Sequence, residues 1–435
     1  MIGNNERVSE AEAIRAFAKI GLLSFGGPAA QISIMHRILV DEKKWLSEAQ
    51  FLHALNFCML LPGPEAMQLS TYAGWLLHGV RGGLIAGLLF ILPGLAMMLA
   101  LSAIYVLFGN VPIIEGLLFG LKAAVLAVVA QALAKVAGRA LKAPLMYGVA
   151  VAAFIGIALL KVPFPLIVIG AGVLGALIWV VAPALFGDAA PKPAENTQAQ
   201  GFDHRASIRA AVIWGLAWAV PLGVLVVLFG SFESDAALFF SQTAIVTFGG
   251  AYAVLAWVGQ QAVEAYNWLT PDAMLTGLGL AETTLGPLVL VLVFVGFVGG
   301  ANAHEAMPLL GGLGGGLIAA FFTFVPCFLW IFVGAPYVEA LRNVRWLAAS
   351  LATITAAVVG VIANLAVWFG LHVLFGDYPE ARFGPFYLPM PDVSQIDLAA
   401  FIIAISSAVA LFRFKIGMLP VLGAAAVAGL VLRLF

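Results

Sequence analysis

The 435-residue sequence predicts an all-α polytopic membrane protein: two inverted repeats of broken and re-entrant helices, plus one extra connecting helix. Three observations predict it. First, 63% of the residues are hydrophobic, 10% are charged, and the mean hydropathy is +1.06. A soluble domain carries about 25% charged residues, so this chain must place most of its surface in lipid. Second, the chain repeats itself. Leu23-Ser24-Phe25-Gly26-Gly27 returns as Val246-Thr247-Phe248-Gly249-Gly250, Trp45-Leu46-Ser47 as Trp268-Leu269-Thr270, and Gly63-Pro64 as Gly286-Pro287. All three pairs keep one offset of 223 positions (25 to 248, 45 to 268, 63 to 286). Gly82-Gly83-Leu84-Ile85-Ala86 and Pro93 match Gly315-Gly316-Leu317-Ile318-Ala319 and Pro326 at an offset of 233 (82 to 315), so the second copy carries a short insertion. Third, the repeated segments are the ones broken by glycine and proline, the pattern of a membrane carrier whose site lies between two repeats.

Each half holds six apolar elements. In the first they lie near 11–38, 50–79, 83–108, 113–137, 144–160 and 163–183. In the second they lie near 236–262, 272–300, 311–333, 336–375, 397–412 and 416–434. Runs such as Leu84–Phe108 and Ala211–Phe229 reach the ~20 residues that span a bilayer. Gly187 to Ser207 is rich in Ala, Pro, Asn, Gln and charge and reads as a solvated linker. The domain plan is therefore a first repeat over 1–186, a cytoplasmic linker over 187–207, a connecting transmembrane helix over 208–230 and a second repeat over 231–435.

The connecting helix sets the orientation. If each half crosses an even number of times, one added crossing starts the second half from the opposite side, and the halves are inverted. Charge agrees with this plan. With the N-terminus in the cytoplasm and the first two elements of each half re-entering, every Lys and Arg except Lys122, Lys161, Arg382 and Arg433 falls on the cytoplasmic side, as the positive-inside rule requires. Full crossing by those elements would move Arg37, Lys43 and Lys44 outside, so re-entry is the favoured reading. Met1 to Glu12 is polar, with no cleavable signal pattern. The net charge of −1 and the lack of a basic tail give no footing for nucleic acid. Cys58 and Cys327 lie in apolar segments and read as buried thiols, with neither a disulfide nor a metal site expected.

Five places carry chemistry. Ser24-Phe25-Gly26-Gly27-Pro28 must break a helix, because glycine removes the side chain and proline an N–H. A break at membrane depth exposes backbone donors, and the following helix offers a positive N-terminus to an oxyanion. Its recurrence at Thr247-Phe248-Gly249-Gly250 keeps a hydroxyl beside each break. Pro62-Gly63-Pro64-Glu65 is a second break, echoed at Leu285-Gly286-Pro287; Glu65 either starts a half-helix or titrates or pairs with a cation. Lys122 lies inside the apolar run Gly116 to Ala134 and is expected to draw an anion, pair with Glu65 or Glu282, or snorkel to an interface. Glu282, just before the second Gly-Pro break, is the best candidate for a proton-linked acid. Glu115 and Glu339 each follow a proline by three residues and read as first-turn acids. Gly311 to Gly316 lacks the Lys-Ser/Thr ending of a phosphate loop.

Together these motifs are familiar. Ser24-Phe25-Gly26-Gly27-Pro28, Trp45-Leu46-Ser47, Leu61-Pro62-Gly63-Pro64 with Gln68, and Gly82-Gly83 with Leu92-Pro93 resemble the first domain of the chromate ion transporter family. Thr247-Phe248-Gly249-Gly250-Ala251-Tyr252, Gly259-Gln260-Gln261-Ala262-Val263 and Ala281-Glu282-Thr283-Thr284 resemble its second domain, so the likeness covers nearly the whole chain. It implies a bacterial inner-membrane, multi-pass protein that exports chromate, with sulfate as the structural mimic. Leu285 stands where the family's second domain usually has proline, which softens that break.

The expected function is a secondary transporter of a tetrahedral oxyanion dianion, chromate moving outward, conferring chromate resistance. Expected substrate contacts are Ser24, Phe25, Gly26, Gly27, Pro62, Gly63, Pro64, Gln68, Lys122, Thr247, Phe248, Gly249, Gly250, Thr284 and Gly286, with Glu65 and Glu282 as coupling or ion-pair residues. No cofactor is expected. The expected ligands are chromate and sulfate, the bilayer is the solvent, and a homodimer is the oligomer carried forward. The rivals are a carrier of sulfate or another oxyanion, inward included; an intramembrane enzyme, for which no His-Glu-x-x-His, no Gly-x-Ser-x-Gly and no deep aspartate is found; and an ion channel, which repeated helix breaks fit less naturally than a rocking pair of repeats.

Overall fold

The computed structural model describes residues 8–189, 204–248, 250–335 and 344–434. The fold is all-α, with one small hairpin among the described residues. In the first half the order is α1 (Glu10–Leu23), α2 (Gly27–His36) continued by a π-turn (Arg37–Glu42), α3 (Glu48–Cys58), α4 (Glu65–Phe108), α5 (Pro112–Ala140), α6 (Pro144–Ala158) and α7 (Phe164–Val181). α8 (His204–Leu228) connects the halves. The second half runs α9 (Ser231–Val246), α10 (Ala251–Gly259) with a π-turn (Gln260–Ala265), α11 (Pro271–Thr283), α12 (Val291–Ala303), α13 (Pro308–Gly334), α14 (Arg345–Phe375), α15 (Leu398–Phe412) and α16 (Met418–Leu434). Six of these helices are long and apolar enough to cross a membrane.

Local chemistry explains the boundaries. The Ser9 hydroxyl accepts from the Glu12 N–H and opens α1. Ser47 and Gln50 form a reciprocal capping box at α3, which satisfies two of the N–H groups a helix start leaves over. Proline occupies the first turn of α2, α5, α6, α7 and α13, where its missing N–H costs nothing. α4 is two helices joined at a break: His78 and Gly79 leave helical geometry, Gly79 with φ +61.

The repeat holds at the level of single backbone contacts. The two π-turns sit at the 223 offset. Lys44 and Asn267 both take positive φ, 53 and 52. The Trp45 N–H donates to the Leu39 carbonyl at 2.9 Å, and the Trp268 N–H to the Ala262 carbonyl at 2.8 Å. The halves of the first two elements are short. α3 has 11 residues and α12 has 13, roughly 16 and 20 Å of helix, below the ~30 Å of a hydrocarbon core.

The compact units of the fold do not follow the sequence repeats. One comprises Met1–Leu107, Thr197–Ala251 and Leu280–Leu341; the other comprises Phe108–Asn196, Tyr252–Gly279 and Arg342–Phe435. Each draws helices from both repeats. Most of the 187–207 linker lies outside the described residues.

In the first unit, glycine-to-backbone contacts close two helix hairpins: Gly74 against Gly82 within α4, and Gly296 and Gly300 of α12 against Gly315 and Gly311 of α13. α13 also packs on α8 and α9, with Trp214 stacked on Phe328 at 5.3 Å. In the second unit, α5 packs on α15 and α16, and α14 packs on α6 and α7. Strands β1 (Glu380–Phe383) and β2 (Phe386–Pro389) form an antiparallel hairpin between α14 and α15, tied down by the Tyr387 N–H on the Leu159 carbonyl at 2.8 Å.

Candidate functional site

The first unit holds both Gly-Pro breaks and the hydroxyl end of both Gly-Gly breaks, and it joins them crosswise. The Gly63 N–H donates to the Thr247 carbonyl at 2.7 Å, and the Gly286 N–H donates to the Ser24 carbonyl at 2.9 Å. Residues 63 and 286 are repeat equivalents, and so are 24 and 247. The Gly-Pro break of each half is thus clasped to the Gly-Gly break of the other. Gly63 and Gly286 have φ of +120 and +78, conformations open to glycine and strained for other residues.

This revises the expected roles of several groups. The N–H groups of Gly63 and Gly286, expected to face an anion, serve the clasp. The hydroxyls of Ser24 and Thr247, expected to line the site, turn back onto the carbonyls one turn earlier, Ile20 and Thr243, which satisfies the last turn of each half-helix. Thr284 does the same toward Ala281 at 2.9 Å. Gly26 and Gly27 have φ of +84 and +80, and a methyl group added to either meets nothing closer than the Ala30 Cβ at 3.5 Å. Glycine is therefore required there by the dihedral and not by close packing. Gly250 has the matching φ of +96; Gly249 lies outside the described residues. Phe25 and Phe248 are half-buried beside the breaks. α2 begins at Gly26 without a side-chain cap.

Two glutamines support the breaks from inside. Gln68 donates through Nε2 to the Pro62 carbonyl at 2.7 Å, and its own N–H donates to the Pro64 carbonyl at 3.1 Å. Gln31 donates through Nε2 to the Gly286 carbonyl at 2.6 Å. Gln31 did not stand out in the sequence; a polar residue five positions past Gly26 in an apolar helix is the signal that marks it. Cys327, expected to be a buried thiol, also borders a break. It is free and buried, as is Cys58, and its Sγ lies against Gly63. Glu65 sits half-buried in the first turn of α4. Glu282 is 3% exposed and is the one buried charged side chain among the described residues.

Lys122 belongs to the second unit. Its ammonium pairs with Asp272, in place of the expected Glu65 or Glu282. The pair opens on a cavity of about 260 Å³ that also holds His372, Asp397 and Arg433. Asp272, Asp397 and Arg433 all lie at helix ends, so Lys122 reaches a polar rim, the snorkelling alternative.

Paired half-helices, internal repetition and membrane-length apolar helices define a polytopic membrane protein of the broken-helix repeat class. The family model described as chromate transporter matches residues 11–176 and again 234–430, and the chain belongs to that family. It is 30% identical over 362 residues to a chromate transport protein of Pseudomonas aeruginosa, covering 81% of this chain and 79% of that one. It is 28% identical over 356 residues to the chromate transport protein of Cupriavidus metallidurans, 81% of this chain and 80% of that one. A probable chromate transport protein of Synechococcus elongatus is 28% identical over 369 residues, 85% and 86%. No solved structure matches the chain.

Proposed function

We propose that this protein is a secondary transporter that moves a tetrahedral oxyanion, chromate, outward across the bacterial inner membrane and so confers chromate resistance. The observation that carries the reading is the crossed clasp: Gly63 to Thr247 and Gly286 to Ser24, repeat-related hydrogen bonds between broken helices. A carrier needs a site built from discontinuous helices of two repeats, and two related arrangements of nearly equal energy. A symmetric pair of clasps between broken helices supports this reading, because opening one while the other holds would give two such arrangements.

In this reading the oxyanion meets the breaks at Ser24 to Gly27, Pro62 to Pro64, Thr247 to Gly250 and Thr284 to Gly286. The uncapped start of α2 supplies its N-terminal dipole. Glu282, buried just before the second Gly-Pro break, is the candidate proton-linked acid. Lys122 stands outside the site, its charge matched by Asp272. The test is chromate flux in membrane vesicles of known orientation, with sulfate as competitor. Outward chromate movement that needs the protein supports the proposal. Inward sulfate movement without chromate transport makes this member an oxyanion importer instead.

A further inference from the structure

Both break-supporting glutamines are satisfied on one side only. Gln31 and Gln68 are fully buried. Each spends its Nε2 on a break carbonyl, Gly286 and Pro62, and in each the Oε1 is buried and accepts no hydrogen bond. The amides are not free to turn over, because flipping either would set oxygen against a carbonyl oxygen. A buried acceptor left without a donor is costly, and here one stands at each of two repeat-related breaks.

The hydroxyl, thiol and clasp N–H donors at the breaks are already spent. The N–H groups of Gly63 and Gly286 are held by Thr247 and Ser24. The hydroxyls of Ser24, Thr247 and Thr284 donate to Ile20, Thr243 and Ala281. The Cys327 thiol, beside Gln68 and Gly63, donates to the Thr323 carbonyl at 3.2 Å. No lysine or arginine is buried among the described residues, and the one buried charge is the acid Glu282. Each break therefore presents a buried, unmet acceptor in addition to the N–H donors at the uncapped start of α2. A fully ionised tetrahedral dianion is made only of acceptors, and it carries two charges to desolvate.

We propose that the species recognised at these breaks is a tetrahedral oxyanion that keeps one proton, a monoanion whose hydroxyl donates to the amide oxygen of Gln31 or Gln68. This rests on the oxyanion-carrier reading above. It also gives a means of selection that shape cannot. Chromate holds its last proton near neutral pH in an appreciable share of molecules, whereas sulfate at that pH holds essentially none. A site built to receive a hydroxyl rejects the analogue that lacks one, because its buried acceptor then stays unmet.

The test uses the full-length protein in proteoliposomes with the same pH on both sides, so that no proton gradient acts. Initial chromate uptake at fixed total concentration is followed from mildly acid to mildly alkaline buffer, with sulfate as competitor and with sodium replaced by N-methylglucamine. The expected result is a rate that follows the protonated fraction, falling about tenfold per pH unit on the alkaline side. Sulfate should compete poorly, and removing sodium should change nothing. Gln68→Leu and Gln31→Leu keep bulk and delete the unmet acceptor; each should lower the preference for chromate over sulfate on the order of tenfold. If these variants fail to fold, the wild-type pH profile and sulfate competition decide. A flat pH profile with equal transport of sulfate overturns the inference and leaves the carrier intact. Sodium-dependent, pH-independent flux assigns the amide oxygens to a cation and overturns it too. No oxyanion flux at all defeats the carrier reading, and the inference with it.

Discussion

Replacing Gly63 by alanine should be the most damaging single change at the clasp. Gly63 has φ +120, in a region that only glycine occupies comfortably, and holding another residue there costs about 1–3 kcal/mol. The new methyl would sit 2.8 Å from the Cys327 Sγ and 2.9 Å from the Gln68 Nε2. Neither is free to retreat, since Gln68 is hydrogen-bonded to the Pro62 carbonyl and Cys327 is buried in α13. Overpacking of this kind adds about 1–3 kcal/mol, for a total of roughly 2–6 kcal/mol. Gly286→Ala meets the flexible end of Leu290 at 3.1 Å, the Phe90 carbonyl at 3.4 Å and the Gly94 Cα at 3.7 Å, so it should cost about 1–2 kcal/mol, mostly from the dihedral. Gly26→Ala has open space around it and should also cost about 1–2 kcal/mol. Equilibrium unfolding in mixed micelles, with chromate flux on the same samples, gives the order. Cys327→Ala in the Gly63→Ala background should recover about 1 kcal/mol by clearing one of the two contacts. A Gly63→Ala protein as stable as wild type, or no worse than Gly26→Ala, would refute the close approach on which the clasp rests.

Other outcomes follow from the same geometry. Lys122→Gln should cost no more than about 1 kcal/mol, because the Asp272 it leaves behind is 65% exposed, whereas Asp272→Asn strands a lysine that is 15% exposed and should cost more; both should leave the apparent KM for chromate unchanged, and a raised KM in Lys122→Gln alone would return the lysine to the substrate path. A hydrogen bond from Glu48, with Asp41 nearby, raises the pKa of His36. Its stabilisation is therefore complete below the ordinary histidine value and is lost as pH rises through the higher folded value. Melting temperature against pH should show this dependence in wild type and lose it in Glu48→Gln. A methyl group at Gly360 would run into the Ala150 carbonyl, closing the contact of α14 with α6; Gly360→Ala should sharply reduce the yield of folded protein on size exclusion, whereas Gly370→Ala, which meets nothing, should not.

Much of this fold was legible in the sequence, because in lipid the apolar runs and their proline starts are the signal. The expected 113–137 is α5, the expected 144–160 is α6, and the expected 208–229 is α8. The repeat carried further than composition alone suggests, down to the π-turns and the positive φ of Lys44 and Asn267. What escaped depends on contacts distant in sequence. The interleaving of the repeats in two compact units has no local signature. Asp272 as the partner of Lys122 does not show in any periodic pattern. The hairpin at Glu380–Pro389 was hidden because its ten residues contain Gly384-Pro385 and end in proline, and so read as loop. The hydroxyls of Ser24 and Thr247 were legible as a matched pair, but their direction, back onto their own helices, was not. Gln31 carries a weak signal, one amide five positions past Gly26 in an apolar helix, and its partner, the Gly286 carbonyl, is distant in sequence.

The claim that matters most is that the clasped breaks belong to a carrier of oxyanions. Its most direct test is exchange: proteoliposomes of purified protein are loaded with unlabelled chromate, and uptake of labelled chromate is followed from outside. A carrier predicts saturable uptake that needs the protein, is accelerated by internal chromate and falls in Gly63→Ala. Uptake no faster than in protein-free vesicles, or flux that does not saturate and arrives as unitary current steps, would contradict the account.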